Sequence, residues 1–383
     1  MKWMVPVNSL DAIQLRTIEA IVKAPKQNHW VKGFAGSGKT IVLTHVLKRL
    51  ASAQPKVRVC FATYTHALKD LVESGLSESE LRQIEISTLD ALRSLKKNFD
   101  VLVADEVQDA SASHLNTMRS KSGALIVAAD MDQQIYRGRT NAAELKANLK
   151  PVRDHQLRDI HRVNQDIFQV ATVIFEDATV AANAMIDERD DPPRLYVGSS
   201  QDDEFKTVFA EAERLAAVSA PSAILFPNKT LMDQFIKTVS KSEGYSGNPP
   251  SVKDAPEREE GEGRDPYKLV NGYLEDQGSP LQVLGGGSGD LYESDRRPMI
   301  YLVTYHSAKG LDFPYVFLPN LTEKTKTNPL VGASDEEERR IFFVALTRAR
   351  ERLHLSYHGE PHRFIGEIPP DYLQAWTKRK RSY

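Results

Sequence analysis

The sequence predicts an α/β protein of two lobes, each a parallel sheet flanked by helices. Three observations predict it. Apolar runs of strand length alternate with stretches of helical periodicity, the pattern of βαβ units. Two of the early runs end directly on acids, which puts polar groups at the carboxyl edge of a sheet, where open α/β folds bind ligands. A glycine-rich turn stands between a short apolar strand and an apolar-periodic helix.

The elements follow in order. Leu10, Ile13, Ile18, Ile21 and Val22 recur at roughly helical spacing and predict a helix over 10–24. His29–Val31 is a strand leading into the glycine-rich turn, and Thr40–Leu50 is the helix that follows. Val57–Ala62 is strand-like and His66–Val72 helical. Phe99–Ala104 and Ala124–Ala129 are apolar strands that each close on an acid. A second set of strands is expected at Ala223–Phe226, Ile300–Thr304, Tyr315–Leu318 and Leu353–Ser356. This assigns 1–150 to the first lobe and 151–383 to the second. Within the second, the acidic Gly/Pro-rich stretch Ser240–Asp265 reads as an exposed insertion with no core of its own. Gly285-Gly286-Gly287-Ser288-Gly289 reads as a flexible loop, and Lys378-Arg379-Lys380-Arg381 as a solvated basic tail.

Composition bounds the function. The 383 residues suffice for two ordinary domains, and 41% hydrophobic with 27% charged residues is a globular balance. No apolar run approaches the roughly 18 residues of a membrane span, and Met1-Lys2-Trp3-Met4-Val5-Pro6 has no apolar signal core. The single cysteine, Cys60, excludes a disulfide within the chain and reads as a small core hydrophobe. A cytoplasmic protein that does not engage membranes is expected. The formal net charge of −2 excludes a grip on nucleic acid by bulk positive charge, so any such path is a local groove.

Gly33-Phe34-Ala35-Gly36-Ser37-Gly38-Lys39-Thr40 fits the P-loop pattern, with the strand before it and the helix after it that the pattern requires. Small residues let backbone N–H groups wrap phosphates, and the helix N-terminus adds positive potential. Lys39 is placed to reach the β and γ phosphates, and Thr40 to offer its hydroxyl to Mg²⁺. Val101-Leu102-Val103-Ala104-Asp105-Glu106 supplies the acids such a loop needs. Asp105 is the candidate Mg²⁺ holder, and Glu106 the candidate base for the attacking water. The cofactors expected are therefore ATP and Mg²⁺.

Asp105-Glu106-Val107-Gln108-Asp109 resembles the D-E-x-Q-D motif of the UvrD/Rep-like superfamily 1A helicases, and further motifs occur in the family's order. Gln14 resembles the amide that reads the adenine edge. Ala129-Asp130-Met131-Asp132-Gln133-Gln134-Ile135-Tyr136 is similar to motif III, which implies a γ-phosphate sensing role for Gln133. Arg158-Asp159-Ile160-His161-Arg162 looks like motif IV, which puts His161 beside the base and Arg162 at the γ phosphate. Thr304-Tyr305-His306-Ser307-Ala308-Lys309-Gly310-Leu311-Asp312-Phe313 closely resembles motif V, and carries Gly310 and Asp312 over to the nucleotide site. Val344-Ala345-Leu346-Thr347-Arg348-Ala349 matches motif VI, which makes Arg348 the arginine finger. The resemblance spans residues 10–356 and implies two RecA-like lobes with ATP bridging them.

It also implies a nucleic-acid track. Thr63-Tyr64-Thr65-His66 resembles motif Ia, whose aromatic stacks on a base, so Tyr64 and Tyr136 are stacking candidates. Thr63, Thr88, Thr304 and His306 stand where family side chains touch the backbone, and backbone contacts carry little sequence preference. Departures accompany the likeness. Ile41 replaces an arginine that flanks the adenine, His161 a tyrosine that stacks on it, and Asp90 a histidine ahead of the acidic motif. Only a short stretch separates Thr65 from Asp105, which implies that the inserted domain 1B is absent, and domain 2B is reduced to a loop.

The function expected is an ATP-dependent translocase or helicase on single-stranded DNA, with the 3′ to 5′ polarity that the resemblance implies. DNA is set ahead of RNA by the family alone. The alternative is an ATP-gated nucleic-acid-binding switch that recruits a protein partner and does not unwind processively. Neither oligomeric state nor pathway is written in the residues.

Overall fold

The computed structural model describes residues 4–34, 36–53, 56–131, 139–159, 164–175, 191–253, 265–285 and 287–377. These form two compact units, one of residues 4–159 and one of residues 164–377.

The first unit carries strands β1 (Asn28–Lys32), β2 (Val59–Thr63), β3 (Ile84–Thr88), β4 (Phe99–Ala104), β5 (Ser122–Ala129) and β6 (Val152–Gln156), and helices α1 (Ala12–Lys23), α2 (Lys39–Ala53), α3 (His66–Ser74), α4 (Glu78–Leu81), α5 (Ala112–Lys121) and α6 (Ala142–Leu149). Its sheet runs β3-β2-β4-β5-β1-β6, parallel throughout. β2 is buried throughout and β4 from Val101 to Ala104, as apolar strands of a covered parallel sheet must be. Trp30, Cys60, Leu102, Leu125 and Val127 share a core with Leu115 and Met118 of α5. Burial pushes the Cys60 thiol up to about 12, so it is an inert core group. The helices start where short polar side chains satisfy their first amides. Asp11 accepts from Ile13 and Gln14 at the head of α1, and Thr65 and Ser111 cap α3 and α5; such caps are each worth about 1 kcal/mol.

The strand order positions the site. β4, β5 and β1 are neighbours, with Ala104 beside Val127 and Ala129 beside Lys32. The residues that follow these strands are Asp105, Asp130 and Gly33, so two acids and the glycine-rich turn share one sheet edge.

The second unit carries β7 (Arg194–Gly198), β8 (Ser222–Phe226), β9 (Leu281–Val283), β10 (Ile300–Thr304), β11 (Phe313–Leu318), β12 (Ala349–His358) and β13 (Gln374–Ala375), with α7 (Gln165–Ile174), α8 (Gln201–Leu215), α9 (Lys229–Ser242), α10 (Pro266–Asp276), α11 (Asp335–Leu346) and α12 (Arg363–Glu367). Its order is β13-β7-β12-β11-β8-β10-β9, again parallel throughout. Phe205, Phe209, Phe226, Phe235 and Phe317 fill its core. One fully buried carboxylate of α8 ties the ends of β11 and β12: Glu204 accepts from the Asn320 amide at 2.6 Å and the Ser356 hydroxyl at 2.7 Å, and lies 2.7 Å from His358 Nδ1.

Two expectations from composition give way here. The start of the acidic stretch is folded onto the unit: Val252 is fully buried in its core, and Asp233 accepts from the amides of Val252 at 2.8 Å and Lys253 at 3.1 Å. A single apolar residue with a buried carboxylate to anchor it outweighs the polar average around it. The Gly285 run is likewise a packed turn. Gly285 and Ser288 exchange backbone hydrogen bonds of 3.1 and 2.8 Å, and a Cβ on Gly285 would sit 2.8 Å from the Tyr267 ring. Residues 254–264 and the basic tail from Lys378 lie outside the described residues. Among the described residues no helix is long and apolar enough to cross a membrane.

Candidate nucleotide site and nucleic-acid face

In the first unit the turn after β1 holds its own lysine. Lys39 is 8% exposed, and its Nζ donates to the carbonyls of Gly33 at 2.8 Å and Phe34 at 3.0 Å. Its ammonium lies 3.7 Å from Asp130 Oδ2, a carboxylate equally buried. The glycines are there for backbone reasons. Gly36 and Gly38 both have φ near +81°, a region that costs an L-residue about 1–2 kcal/mol. A Cβ on Gly33 would lie 2.4 Å from Ser37 Oγ, and one on Gly38 would lie 2.5 Å from Gln14 Nε2. Gln14 itself spans the gap between α1 and the turn. Its Oε1 accepts from the Asp11 amide at 3.1 Å while its Nε2 donates to the Ser37 carbonyl at 3.1 Å.

The acids stand opposite. Thr40 donates its hydroxyl to Asp105 Oδ2 at 2.6 Å, and the Glu106 amide donates to Asp105 Oδ1 at 2.8 Å. Asp105 is fully buried, and burial first, then the neighbouring Glu106, push its carboxyl up to about 6 against the pull of Thr40 and Lys39. Glu106 adopts φ 55°, ψ 36°, the left-handed region, at the head of a short turn Val107–Asp109. Gln108, fully buried, donates its amide to the Glu106 carboxylate and accepts from the Asp130 amide at 3.1 Å.

These groups suit a divalent cation. Thr40 and Asp105 offer two adjacent oxygens, and a cation would relieve a carboxylate that burial disfavours as an anion. Among the described residues no three His, Cys, Asp or Glu cluster as a metal cage. A hard cation bound by one carboxylate, one hydroxyl and phosphate oxygens fits that composition.

Asp130 and Gln108 were not assigned roles from the sequence. The signal was present for Asp130, since it follows a buried strand as Asp105 does.

The nucleic-acid candidates of this unit cluster on the ends of β2 and β3, where Thr63 pairs with Thr88. Thr63 is fully buried, and Thr88 Oγ1 accepts from the Ala91 amide at 3.2 Å. Tyr64 is half-buried. Its hydroxyl accepts from Arg139 Nη2 at 3.1 Å, and the Arg139 guanidinium lies 5.7 Å from its ring centre. His114 meets the ring edge-on and lies 2.9 Å from Asp90, which stands where the family has a histidine.

In the second unit Thr304 ends β10 and its Oγ1 bonds Ser307 twice, to the hydroxyl at 2.9 Å and from the amide at 3.2 Å. Burial, with Lys309 nearby, lowers His306 to about 4, so at neutral pH it is an uncharged ring and not a cation. Gly310 turns at φ +81°, and Asp312 lies 3.6 Å from Arg350 Nε. Arg348 is 1% exposed. Its Nε donates to the Val344 carbonyl at 2.8 Å, and its Nη1 and Nη2 donate to the Leu311 carbonyl and Thr347 Oγ1, both at 3.1 Å. Ala35, Gln133, Tyr136, His161 and Arg162 lie outside the described residues.

Residues 9–191 match the model of an AAA domain, and residues 287–360 match that of the UvrD-like helicase C-terminal domain. The chain is thus similar, over its segment 287–360, to the UvrD-like helicases. Among curated UvrD-like relatives it is 39% identical over 108 residues to the ATP-dependent DNA helicase PcrA of Staphylococcus epidermidis (strain ATCC 35984), and 35% identical over 108 residues to that of Staphylococcus aureus (strain Mu50). Each match covers 24% of this chain and 15% of the relative. A solved structure titled "The structure of PRRSV helicase" aligns with TM-score 0.44 and 15% identity over 92% of this chain and 56% of that one. The UvrD-like segment of this chain, 287–360, contains β10, Thr304, His306, Asp312 and Arg348.

Proposed function

We propose that the chain is an ATP-hydrolysing motor that travels along single-stranded DNA, with lobe 1A extending through β6, past the boundary at 150 expected from the sequence, and lobe 2A following it. One observation carries the reading. Lys39, Thr40, Asp105 and Glu106 meet at one sheet edge with a hydroxyl already bonded to the buried acid, as phosphate and cation chemistry requires. The PcrA relatives are ATP-dependent DNA helicases, which supports the same reading.

In this reading Gly33 to Thr40, with Ala35, cradle the phosphates of ATP, and Thr40 and Asp105 hold Mg²⁺. That ion supplies charge neutralisation between the phosphates. Glu106 takes the proton of the attacking water. Gln14 and His161 are assigned to the base, Gln133 to sensing the γ phosphate, and Arg162, Arg348, Gly310 and Asp312 are the further nucleotide residues that the family resemblance implies. Tyr64, Tyr136, Thr63, Thr88, Thr304 and His306 line the track, and the motion runs 3′ to 5′, as the family resemblance implies. With 1B absent and 2B reduced, translocation is favoured over independent unwinding.

A second reading has its own observation. Among the described residues, Arg348 donates to three acceptors of its own unit. An ATP-gated switch that grips nucleic acid, recruits a protein partner and hydrolyses slowly does not need that guanidinium freed. Steady-state ATPase, titrated with single-stranded DNA, single-stranded RNA and duplex, decides between them. Stimulation by single strands supports the motor. Turnover no faster than release of the strand supports the switch, and no ATPase under any condition refutes the motor.

A further inference from the structure

We infer that Gln108 is the positioning residue for the catalytic carboxylate of Glu106, and that it works by referencing that carboxylate to the backbone of the neighbouring strand. The inference rests on the reading of Glu106 as the base.

The torsions of a glutamate do not by themselves direct its carboxylate. The left-handed backbone of Glu106 turns the side chain out of the strand line, but the last torsion of a Glu side chain is broad and roughly two-fold. A base must hold one oxygen on the proton it takes. Gln108 removes that freedom. It is fully buried, two residues on, in the turn Val107–Asp109, and its Nε2 donates to Glu106 Oε2. The other end of the same amide is anchored, because its Oε1 accepts from the Asp130 amide at 3.1 Å. Asp130 directly follows β5, the strand hydrogen-bonded to β4, which Asp105 and Glu106 directly follow. The carboxylate is thus fixed against a sheet and not against solvent.

A glutamine is required by these two partners. Asparagine is one methylene short. Glutamate keeps an acceptor for the Asp130 amide but has no donor for Glu106. Methionine keeps the length and loses both bonds. The anchor has a second face. The residue whose amide holds Gln108 also presents the carboxylate that lies 3.7 Å from Lys39 Nζ. Glu106 is therefore linked through Gln108 and then Asp130 to Lys39, the group that meets phosphate.

The test compares the full chain with Gln108→Met, Gln108→Glu, Glu106→Gln and the double substitution Glu106→Gln/Gln108→Met. It reads ATPase kcat and KM, affinity for a fluorescent N-methylanthraniloyl-ADP with Mg²⁺, and the melting temperature. Gln108→Met is expected to lower kcat about ten-fold or more, with KM and analogue affinity within about two-fold, since a misaimed base costs rate and not binding. The double substitution is expected to turn over no more slowly than Glu106→Gln. If leaving the Asp130 amide unpaired unfolds the methionine variant, Gln108→Glu carries the measurement and is expected to show the same loss of kcat. Retention of kcat within about two-fold, a loss matched by weaker analogue binding, or a double substitution slower than Glu106→Gln overturns the inference. If the wild type does not hydrolyse ATP, or Glu106→Gln hydrolyses normally, the reading of Glu106 fails first and the inference falls with it.

Discussion

The hydroxyl of Thr40, at the head of α2, donates to the carboxylate of Asp105, just beyond β4, at 2.6 Å. A helix start and a strand end are thereby joined at the point where a cation between them would be held. Asp105 has no surface exposure, and its carboxyl is raised to about 6 by burial and by Glu106. A raised carboxyl favours the folded state while protonated, and that advantage is lost as pH rises through about 6. Asp105→Asn removes the buried charge. It is expected to stabilise the nucleotide-free protein at pH 8 by about 1–3 kcal/mol, and to abolish the dependence of nucleotide affinity on Mg²⁺. Melting curves at pH 8 and an ADP titration with and without Mg²⁺ check both, and undiminished Mg²⁺ dependence counts against Asp105 as the holder.

Lys39 and Glu106 divide the work between binding and chemistry. Lys39 faces the turn carbonyls, where phosphates would lie. Lys39→Ala is expected to lose nucleotide affinity and turnover together. Glu106→Gln is expected to keep affinity and to lose turnover by about 100-fold or more. Equal binding defects in the two variants would refute this division.

Gly38 leaves no room for a side chain. With φ at +81° and Gln14 Nε2 at 2.5 Å from any Cβ, Gly38→Ala is expected to cost about 1–2 kcal/mol from the backbone alone and to weaken ADP binding. A melting curve and nucleotide affinity identical to wild type would show that the turn relaxes at no cost.

Tyr64 sits between the Arg139 guanidinium and the edge of His114. If it stacks on a base, Tyr64→Ala lowers affinity for a labelled single-stranded oligonucleotide by about 1–3 kcal/mol. Anisotropy measures that loss, and ADP affinity is expected to stay within about two-fold. Equal loss of both would assign Tyr64 to packing.

A pair of imidazoles sets an acid limit on the first unit. His29 Nε2 lies 2.9 Å from the Ala24 carbonyl and must donate to it, so Nδ1 accepts from His155 Nε2 at 2.9 Å. Burial lowers both rings, His155 to about 4. A lowered histidine stabilises the fold fully above its ordinary value of 6.5, and that contribution is lost as pH falls from there towards 4. His155→Gln is expected to flatten the fall of melting temperature between pH 6.5 and 4. The other buried histidines, His306 and His354 among them, leave a remaining slope. Superimposable profiles would remove the pair from the account.

Much of this protein is written in local patterns. The period of the apolar residues placed β1, β4, β5, β10 and the helices that follow β1 and β2, because buried parallel strands must be apolar throughout and a helix beside them on one face only. The P-loop and its acids were legible because their spacing is imposed by phosphate geometry, which is the same in any fold. Short edge strands were not. β6, with no fully buried residue, and the two-residue β13 lack a continuous apolar run, and only pairing with β1 and β7 makes them strands. The burial of Val252 and the packed turn at Gly285 escaped for the same reason, since composition averages over neighbours while a core selects single side chains. What the residues alone determined is therefore which groups this chain owns for handling phosphate. What only the tertiary structure decided is which of them touch: that Asp130 faces Lys39, that Gln108 grips Glu106, and that Arg348 is bonded within its own unit. The first of these contacts joins elements far apart in the chain, brought together by the pairing of β1 with β5, and the other two are local contacts that only the conformation of a turn and of a helix end decides.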